Sequence, residues 1–420
     1  DAWLRVEAGR ISGLGTGRSQ KSDCGSQSAE REHENGLAAE RGHDPGLGTR
    51  SHFGGPTMGH VPRGKVIDCR GCVVLPGFVD PHTHPVFGGW RHGEFEQRLG
   101  GRTYKEIAQA GGGILSSVRM TRAASEDELV GAGRARVLEM LSWGTTTVEA
   151  KSGYGLDTET ELKMLRAIRR VGESVPVAVV PTFLGAHSIP KDTAKERYID
   201  LLIEEMLPRV AEEKLARFCD VFCEDFIFNA SDSRRILEAG KRYGLIPKVH
   251  ADEIESSAGA ELAAEVGAVS AAHLLKPSDR GLEVMAEAGT IAELLPGTCF
   301  FLREQPAPVA KMRERGVVMA LATDFNPGSS TLLAQPLTVV FACVKYGMTV
   351  VEALRGVTVN AARSLALLGD IGTIEPGKRA DILVTDLPDY RHIAYRVGHN
   401  PARVVICGGE VVSRDGIPVR

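Results

Sequence analysis

Short apolar runs typical of β-strands alternate with amphipathic segments of helical period through most of the chain. Side chains on a strand alternate between two faces, whereas those on a helix return to one face every three to four residues. The strand-like runs are the one opening at Val73 and then 145–150, 175–184, 218–228, 245–250, 268–275, 290–295 and 317–324. Eight such strands alternating with helices predict an α/β fold, a (β/α)8 TIM-like barrel. A doubly wound sheet is the alternative, and eight repeats favour closure.

The segments between these runs carry helix start and stop signals. Ser125 followed by Glu128, and Thr158 followed by Glu161, have the spacing of capping boxes, which predicts a helix after each. Several glycines stand just before a strand-like run, where a left-handed residue would end the preceding helix: Gly144, Gly244, Gly267, Gly289 and Gly316. The punctuation therefore supports the alternation.

The two chain ends predict a second, smaller unit. Residues 3–14 around Gly9 and residues 404–412 around two adjacent glycines both read as hairpins, and 372–384 reads as a turn and a strand. Residues 349–367 read as two short helices. We expect residues 1–72 and 366–420 to form a small β-sandwich domain and residues 73–365 to form the barrel. Residues 15–64 have few large apolar side chains, which predicts a disordered or irregular insertion.

Composition narrows the function classes. The chain has 420 residues, 43% hydrophobic and 25% charged, as soluble globular proteins do. It has no run of about eighteen apolar residues, so we expect no membrane span. Its first residues lack the pattern of a secretory signal, so we expect none there. A net charge of −4 argues against nucleic-acid binding. Eight scattered cysteines fit a reducing, cytoplasmic location, and we interpret Cys69 and Cys72 as ordinary thiols beside a strand.

Histidines collect where the predicted strands end. Six lie between residues 73 and 380, and all but His92 stand at a strand end: His82, His84, His187, His250 and His273. Asp324 ends the eighth strand. In a barrel of this kind, functional groups lie at the carboxyl ends of the strands. Coincidence explains this placement poorly, and we predict that these side chains meet in one site.

Three imidazoles and a carboxylate suit Zn or Fe, since Mg²⁺ and Ca²⁺ prefer oxygen ligands. His82 and His84, two residues apart on a strand, would face the same side. A metal in such a site lowers the pKa of a bound water towards neutrality, which is typical of hydrolases. A two-histidine, one-carboxylate iron oxygenase is the competing chemistry, but it needs one histidine fewer.

At this point the sequence resembles the amidohydrolase superfamily and, within it, the imidazolonepropionase family. The resemblance runs from about residue 65 to the C-terminus, and it is carried by residues 81–87, 111–114, 151–156, 185–190, 250–253 and 322–328. It implies hydrolysis of the cyclic amide of 4-imidazolone-5-propanoate to N-formimidoyl-L-glutamate, in histidine degradation. It also implies one transition metal, Zn or Fe.

The resemblance implies roles for individual residues. Metal ligation falls to His82, His84, His250 and Asp324. Substrate contacts fall to Arg91, Tyr104, Tyr154, His187, Glu253, Asn326, Gly328 and Ser329. His273 would stabilise the oxyanion, and either Glu253 or Asp324 would be the general base, with Glu253 favoured because a ligating aspartate is less free to move protons. Glu224 and Lys151 are interpreted as structural.

Two other interpretations stay open at this stage. A related deaminase, acting on a cyclic amidine or aminopyrimidine, would use the same kind of metal site and release ammonia. A degenerate barrel that serves as a scaffold is the alternative without catalysis, and the intact set of strand-end ligands argues against it. For the hydrolase we expect a small anionic substrate, no nucleic acid or membrane partner, and a homodimer.

Overall fold

The computed structural model describes residues 2–16, 66–102, 106–107 and 110–419. Its largest sheet has eight parallel strands that follow each other in chain order. They are β4 (Phe78–Asp80), β5 (Thr145–Lys151), β6 (Ala178–Ala186), β7 (Phe218–Cys223), β8 (Ile246–Ala251), β9 (Ser270–His273), β10 (Ile291–Leu294) and β11 (Met319–Leu321). The predicted barrel is confirmed, and the open doubly wound sheet is wrong.

The sheet closes between its first and last strands, just beyond their carboxyl ends. Asp324 N–H donates to the His82 carbonyl at 3.0 Å, and His84 N–H donates to the Phe325 carbonyl at 2.8 Å. The Asp80 carboxylate also accepts from Thr323 N–H at 3.1 Å and from its hydroxyl at 2.6 Å. The closing seam therefore brings residues 82–84 beside residues 323–325.

The run that opens at Val73 was predicted to be one strand, and the structure divides it between two sheets. β3 (Val74–Pro76) pairs with β12 (Ile382–Thr385) in an antiparallel sheet, whereas β4 belongs to the barrel. Gly77 stands between them, and a Cβ there would lie 2.3 Å from the Thr146 side chain. Only a glycine fits at this crossing, and the sequence pattern alone did not show it.

The described helices surround the barrel. They are α1 (His92–Leu99), α2 (Ile114–Ala123), α3 (Glu126–Ser142), α4 (Thr158–Ser174), α5 (Lys195–Leu201), α6 (Leu207–Glu212), α7 (Ala230–Arg242), α8 (Gly259–Glu265), α9 (Asp279–Ala288), α10 (Pro296–Leu302), α11 (Val309–Glu314), α12 (Gln335–Tyr346), α13 (Val350–Gly356), α14 (Val359–Ser364) and α15 (His392–Tyr395). A π-helical turn, Leu202–Met206, joins α5 to α6. The two short helices predicted within 349–367 are α13 and α14. No described helix is long and apolar enough to cross a membrane.

One of the two predicted capping boxes is confirmed. Ser125 and Glu128 bond to each other's backbone at the start of α3. The box predicted at Thr158 is wrong, because Asp157 caps α4 by accepting from Thr160 N–H. Glu161 is then free to bond elsewhere, and it does so beside the site. The five glycines placed before strands all have φ between 65° and 97°, as predicted.

The chain ends form the small β unit. β12 pairs with β13 (Ala402–Cys407), which forms a hairpin with β14 (Glu410–Arg414); β15 (Ile417–Pro418) completes the five-stranded sheet. The predicted N-terminal hairpin is β1 (Ala2–Glu7) and β2 (Arg10–Thr16), whose Ile11 packs in a small core with strand residues of the C-terminal sheet. Of the predicted insertion, residues 17–64 lie outside the described residues, and the domain boundaries stay a prediction.

Candidate metal centre and active site

The strand ends converge on one point at the mouth of the barrel. His82 and His84 follow β4, while His250 lies on β8, and each can offer a nitrogen within 4.8 Å of the other two. Asp324 joins them from the closing seam, with Oδ1 3.5 Å from His82 Nε2 and 3.6 Å from His84 Nε2. All four residues are at most 2% exposed. The predicted ligands therefore lie together, buried on rigid backbone.

This arrangement fits a transition metal. Ligand atoms at tetrahedral zinc lie about 3.3 Å apart, close to the spacings from Asp324. His82 Nε2 and His250 Nε2 are buried and have no hydrogen-bond partner among the described residues, an arrangement that proteins rarely keep without a ligand. Burial, aided by neighbouring positive groups, holds the pKa values of His82 and His84 well below the ordinary range, so both rings are neutral and can bind a cation.

Asp324 is oriented by strained backbone and by one hydroxyl. Its φ is 49°, a left-handed value that costs a non-glycine residue energy. Thr298, on α10, donates its hydroxyl to Oδ2 at 2.7 Å, which leaves Oδ1 facing the histidines. Burial raises the pKa of Asp324 to about 6, so a nearby cation would favour its carboxylate form.

Glu253 and His273 form a pair beside this cluster. Glu253 Oε1 lies 3.5 Å from His273 Nδ1, and 17% of the Glu253 side chain is exposed. Burial, followed by the charges of Asp324 and Glu224, raises the pKa of Glu253 to about 8. A carboxyl group with a pKa near neutrality suits proton transfer. His273 has a φ of 69°, a left-handed value that is also strained for a residue other than glycine.

Two buried carboxylates hold the loop that carries Glu253. Glu224, buried after β7, accepts from the backbone N–H groups of Glu253 and Ile254, both at 2.8 Å, and from the Ser257 hydroxyl at 2.9 Å. Asp252 accepts from Ala260 N–H and from two other N–H groups at the start of α8. Glu224 thus contacts the loop and not the metal cluster, in keeping with the structural role expected for it.

Arg91 lies at the rim of the site, and Glu94 binds two of the nitrogen atoms of its guanidinium. Its Nε and Nη2 pair with Glu94 Oε2 at 3.0 and 2.9 Å, and 12% of its side chain is exposed. Glu94 also accepts from Gly113 N–H at 3.1 Å. The guanidinium packs against Gly328, where a Cβ would lie 2.1 Å from Nη1. Because glycine has no Cβ, Gly328 leaves room for the Arg91 guanidinium.

Tyr154 and His187 lie beside the metal cluster, against His84. His187 stacks on His84 with ring centroids 5.2 Å apart, and Tyr154 lies 5.7 Å from the same ring. His187 Nδ1 bonds to the Gly153 carbonyl at 3.1 Å. Glu161 fixes this loop by accepting from the N–H groups of Gly153, Gly155 and Leu156.

The remaining predicted contacts are placed less directly. Asn326 Oδ1 accepts from Gly328 and Ser329 N–H, both at 2.8 Å, and its amide donates to the Ser329 hydroxyl at 2.8 Å. These side chains therefore hold their own loop. Tyr104 lies outside the described residues.

Several residues that shape the site were missed by sequence reasoning. They are Glu94, Glu161, Asp220, Glu293 and Thr298, each bonded to a predicted site residue or to its loop. Asp220 and Glu293 stand on strands β7 and β10, and their alternation with apolar neighbours could have marked them as inward-facing. The other three bond to loops, for which the sequence carries no pattern.

Comparison with known proteins agrees with this site. Residues 73–412 match the family described as "Amidohydrolase family". The chain is 50% identical to the imidazolonepropionase of Brevibacillus brevis over 354 residues, 84% of each chain. It is 49% identical to that of Geobacillus kaustophilus, also over 84% of each chain.

Solved structures show the same fold at low identity. A triazine hydrolase variant has a TM-score of 0.71 and 16% identity, covering 100% of this chain and 91% of that one. A 5-methylcytosine deaminase from Klebsiella pneumoniae has a TM-score of 0.69 and 15% identity, covering 98% and 94%. These likenesses concern the fold alone, whereas the two curated relatives are 50% and 49% identical to the chain over 84% of their length. The chain therefore belongs to the amidohydrolase family and, within it, to the imidazolonepropionases.

Proposed function

We propose that the enzyme hydrolyses the cyclic amide of 4-imidazolone-5-propanoate to N-formimidoyl-L-glutamate, a step of histidine degradation. The observation that carries this is the meeting of a buried histidine–aspartate cluster, a Glu253–His273 pair and a rim arginine in one mouth. The curated relatives carry the name of this activity at about half identity over 84% of their length. The deaminase alternative has support only from structures of low identity.

His82, His84, His250 and Asp324 would hold one metal ion, which we propose to be Zn or Fe. When bound, such an ion polarises a carbonyl and lowers the pKa of water, which supplies the nucleophile for hydrolysis. Lys151, which has an ammonium paired with Glu149 and Asp220, is no candidate for a second metal site.

Glu253 is the residue we propose for proton transfer. It would take a proton from the attacking water and return it to the ring nitrogen as the C–N bond breaks, a cycle that needs a pKa near the working pH. Its raised pKa and its place outside the ligand set suit both steps. His273 lies beside it and would stabilise negative charge on the carbonyl oxygen.

The rim residues would bind the rest of the substrate. Arg91 is the proposed partner of the propionate, since guanidinium binds carboxylate with directed hydrogen bonds. Tyr154 and His187, which lie against His84, would contact the ring, and Tyr104, Asn326, Gly328 and Ser329 stay predicted contacts. We also propose a homodimer in a reducing, cytoplasmic compartment; the seven cysteines among the described residues are unpaired.

The test is a product assay. Purified enzyme, stripped of metal and reloaded with Zn or Fe, is incubated with 4-imidazolone-5-propanoate, and both ring-opened product and ammonia are measured. We expect one N-formimidoyl-L-glutamate per substrate consumed and no ammonia. Release of ammonia without ring opening would favour the deaminase. If the fully metal-loaded enzyme neither consumed the substrate nor released ammonia, the hydrolase and the deaminase proposals would both be contradicted.

A further inference from the structure

Five buried charged side chains on the described barrel strands form a connected group that the proposed chemistry does not use. Three are carboxylates and two are ammonium groups, each at most 1% exposed: Glu149, Lys151, Asp220, Lys248 and Glu293. They come from β5, β7, β8 and β10, which are four of the eight barrel strands. A protein tolerates such groups in its core only when they are paired, because burial of a lone charge is costly.

The ion pairs form a continuous chain. Lys151 Nζ lies 2.7 Å from Asp220 Oδ2 and 2.9 Å from Glu149. Lys248 Nζ lies 3.1 Å from Glu149 and 2.8 Å from Glu293, and it also donates to the Pro81 carbonyl at 2.9 Å. Every carboxylate of the set thus faces at least one ammonium group. The ion pairs therefore run in sequence from Asp220 through Lys151, Glu149 and Lys248 to Glu293.

Both ends of this chain reach a histidine of the metal cluster. Asp220 Oδ1 lies 3.1 Å from His250 Nδ1. Glu293 Oε2 lies 3.4 Å from His82 Nδ1. In each ring the Nε2 atom is buried and has no hydrogen-bond partner in the described part of the chain. A carboxylate accepts a hydrogen bond from Nδ1–H and has no hydrogen to donate, so it selects the tautomer in which Nε2 carries the free electron pair.

We propose that Asp220 and Glu293 are positioning residues that hold His250 and His82 in the metal-binding tautomer, and that Lys151 and Lys248 make their burial possible. The inference rests on the proposed metal centre and not on the identity of the substrate. Outer carboxylates of this kind orient a ligating imidazole and raise its basicity. Asp220 has the shorter contact, so it has the larger role of the two.

Zinc affinity of the Asp220→Asn variant, measured by competition with a chelator, is the first test. An amide offers one acceptor where the carboxylate offers two, so it cannot satisfy both His250 and Lys151. We expect zinc to bind about 10- to 100-fold more weakly. Glu293→Gln should weaken binding by less. Asp381→Asn is the matched control, since Asp381 is also buried and paired with a cation, Arg379, but lies beside the small β unit, and its zinc affinity should equal that of the parent.

The second readout needs neither metal nor substrate. Nitrogen NMR shifts of selectively labelled histidines distinguish the two neutral tautomers in the metal-free parent, and His250→Ala assigns the signal. We expect His250 to carry its proton on Nδ1. A proton on Nε2, or parent-like zinc affinity in Asp220→Asn, would overturn the proposal. A failed product assay with both results as expected would count against the proposed function alone.

A third variant keeps the test valid if Asp220→Asn does not fold. Asp220→Val combined with Lys151→Met removes both partners of the ion pair and leaves no new unpaired ammonium group, a replacement that is often neutral for stability. It also removes the acceptor at His250. We expect this variant to bind zinc at least about 10-fold more weakly than the parent, and parent-like affinity would overturn the proposal.

Discussion

The metal cluster and the substrate rim come from neighbouring segments of the chain, yet different kinds of contact hold their side chains in place. His82 and Asp324 stand on the seam that closes the barrel, and His250 stands on β8, so backbone hydrogen bonds between strands place their side chains. Arg91 and Glu253 are each held by one carboxylate: the half-buried Glu94 bonds to the Arg91 side chain, and the buried Glu224 bonds to the Glu253 backbone. The cluster is thus set by the fold, and the rim by a few single contacts.

This difference predicts how each region responds to mutation. A change in the cluster should remove the metal and all activity together. A change at the rim should leave metal and fold intact and alter turnover or substrate affinity alone.

The largest effect is expected for His250→Ala. It removes a ligand on a rigid strand, so we expect metal content to fall and kcat to drop at least about 10³-fold, since a metal supplies several kcal/mol of transition-state stabilisation. Metal analysis and a rate assay on the same sample test this. His92→Ala, an exposed histidine at the start of α1, is the control and should match the parent. Stoichiometric metal with normal turnover would remove His250 from the ligand set.

Glu253→Gln should separate the two regions. Metal should stay bound, because Glu253 is not in the cluster, while kcat should fall about 10²- to 10⁴-fold through loss of the base. Glu255→Gln, in the exposed part of the same loop, is the matched control. Loss of metal in Glu253→Gln would contradict the separation of base from ligands.

The pH profile sharpens the same point. A base works only when deprotonated, so activity should rise with pH through the pKa of Glu253. That pKa is raised to about 8 in the protein without metal, and a cation would lower it, because it favours the carboxylate. We therefore expect the acidic limb of kcat/KM to have its midpoint below 8, and to vanish in Glu253→Gln. An unchanged limb in that variant would assign it to another group.

Arg91→Ala should affect recognition alone. A carboxylate that loses a directed guanidinium partner in a mostly closed site costs about 2–5 kcal/mol, so kcat/KM should fall about 30-fold or more. Arg91→Lys should restore only part, because lysine lacks the planar fork. Glu94→Gln keeps the arginine and tests its positioning separately. Parent-like kinetics in Arg91→Ala would place the propionate elsewhere.

The sequence was informative where a residue's position on a strand determines its environment. The eight strands, the closure of the barrel and the meeting of His82, His84, His250 and Asp324 follow from apolar periodicity and from which residues end each run. The curated relatives confirm the family on which the site assignments rest.

What the sequence did not show depends on single tertiary contacts. The strand that opens at Val73 divides at Gly77, where Thr146 leaves no room for a Cβ. Glu161 has the spacing of a capping residue, but it bonds to the Tyr154 loop instead. No local pattern distinguishes these outcomes, because the competing partners are far apart in sequence or equally well spaced.

Gly328→Ala is expected to have the smallest effect, and it tests whether rim geometry rests on single contacts. The φ of Gly328 is not in the left-handed range, so the substitution adds only a methyl group, which would lie 2.1 Å from Arg91 Nη1. The end of a long side chain can move, so Arg91 should shift and not be lost. We expect KM to rise about 3- to 10-fold, or about 1 kcal/mol, with kcat and metal content unchanged. Gly93→Ala is the control, since it lies two residues from Arg91 with open space for a Cβ. Equal KM values in the two variants would mean that Arg91 can shift without loss of substrate affinity, and that the geometry of the rim does not depend on this contact.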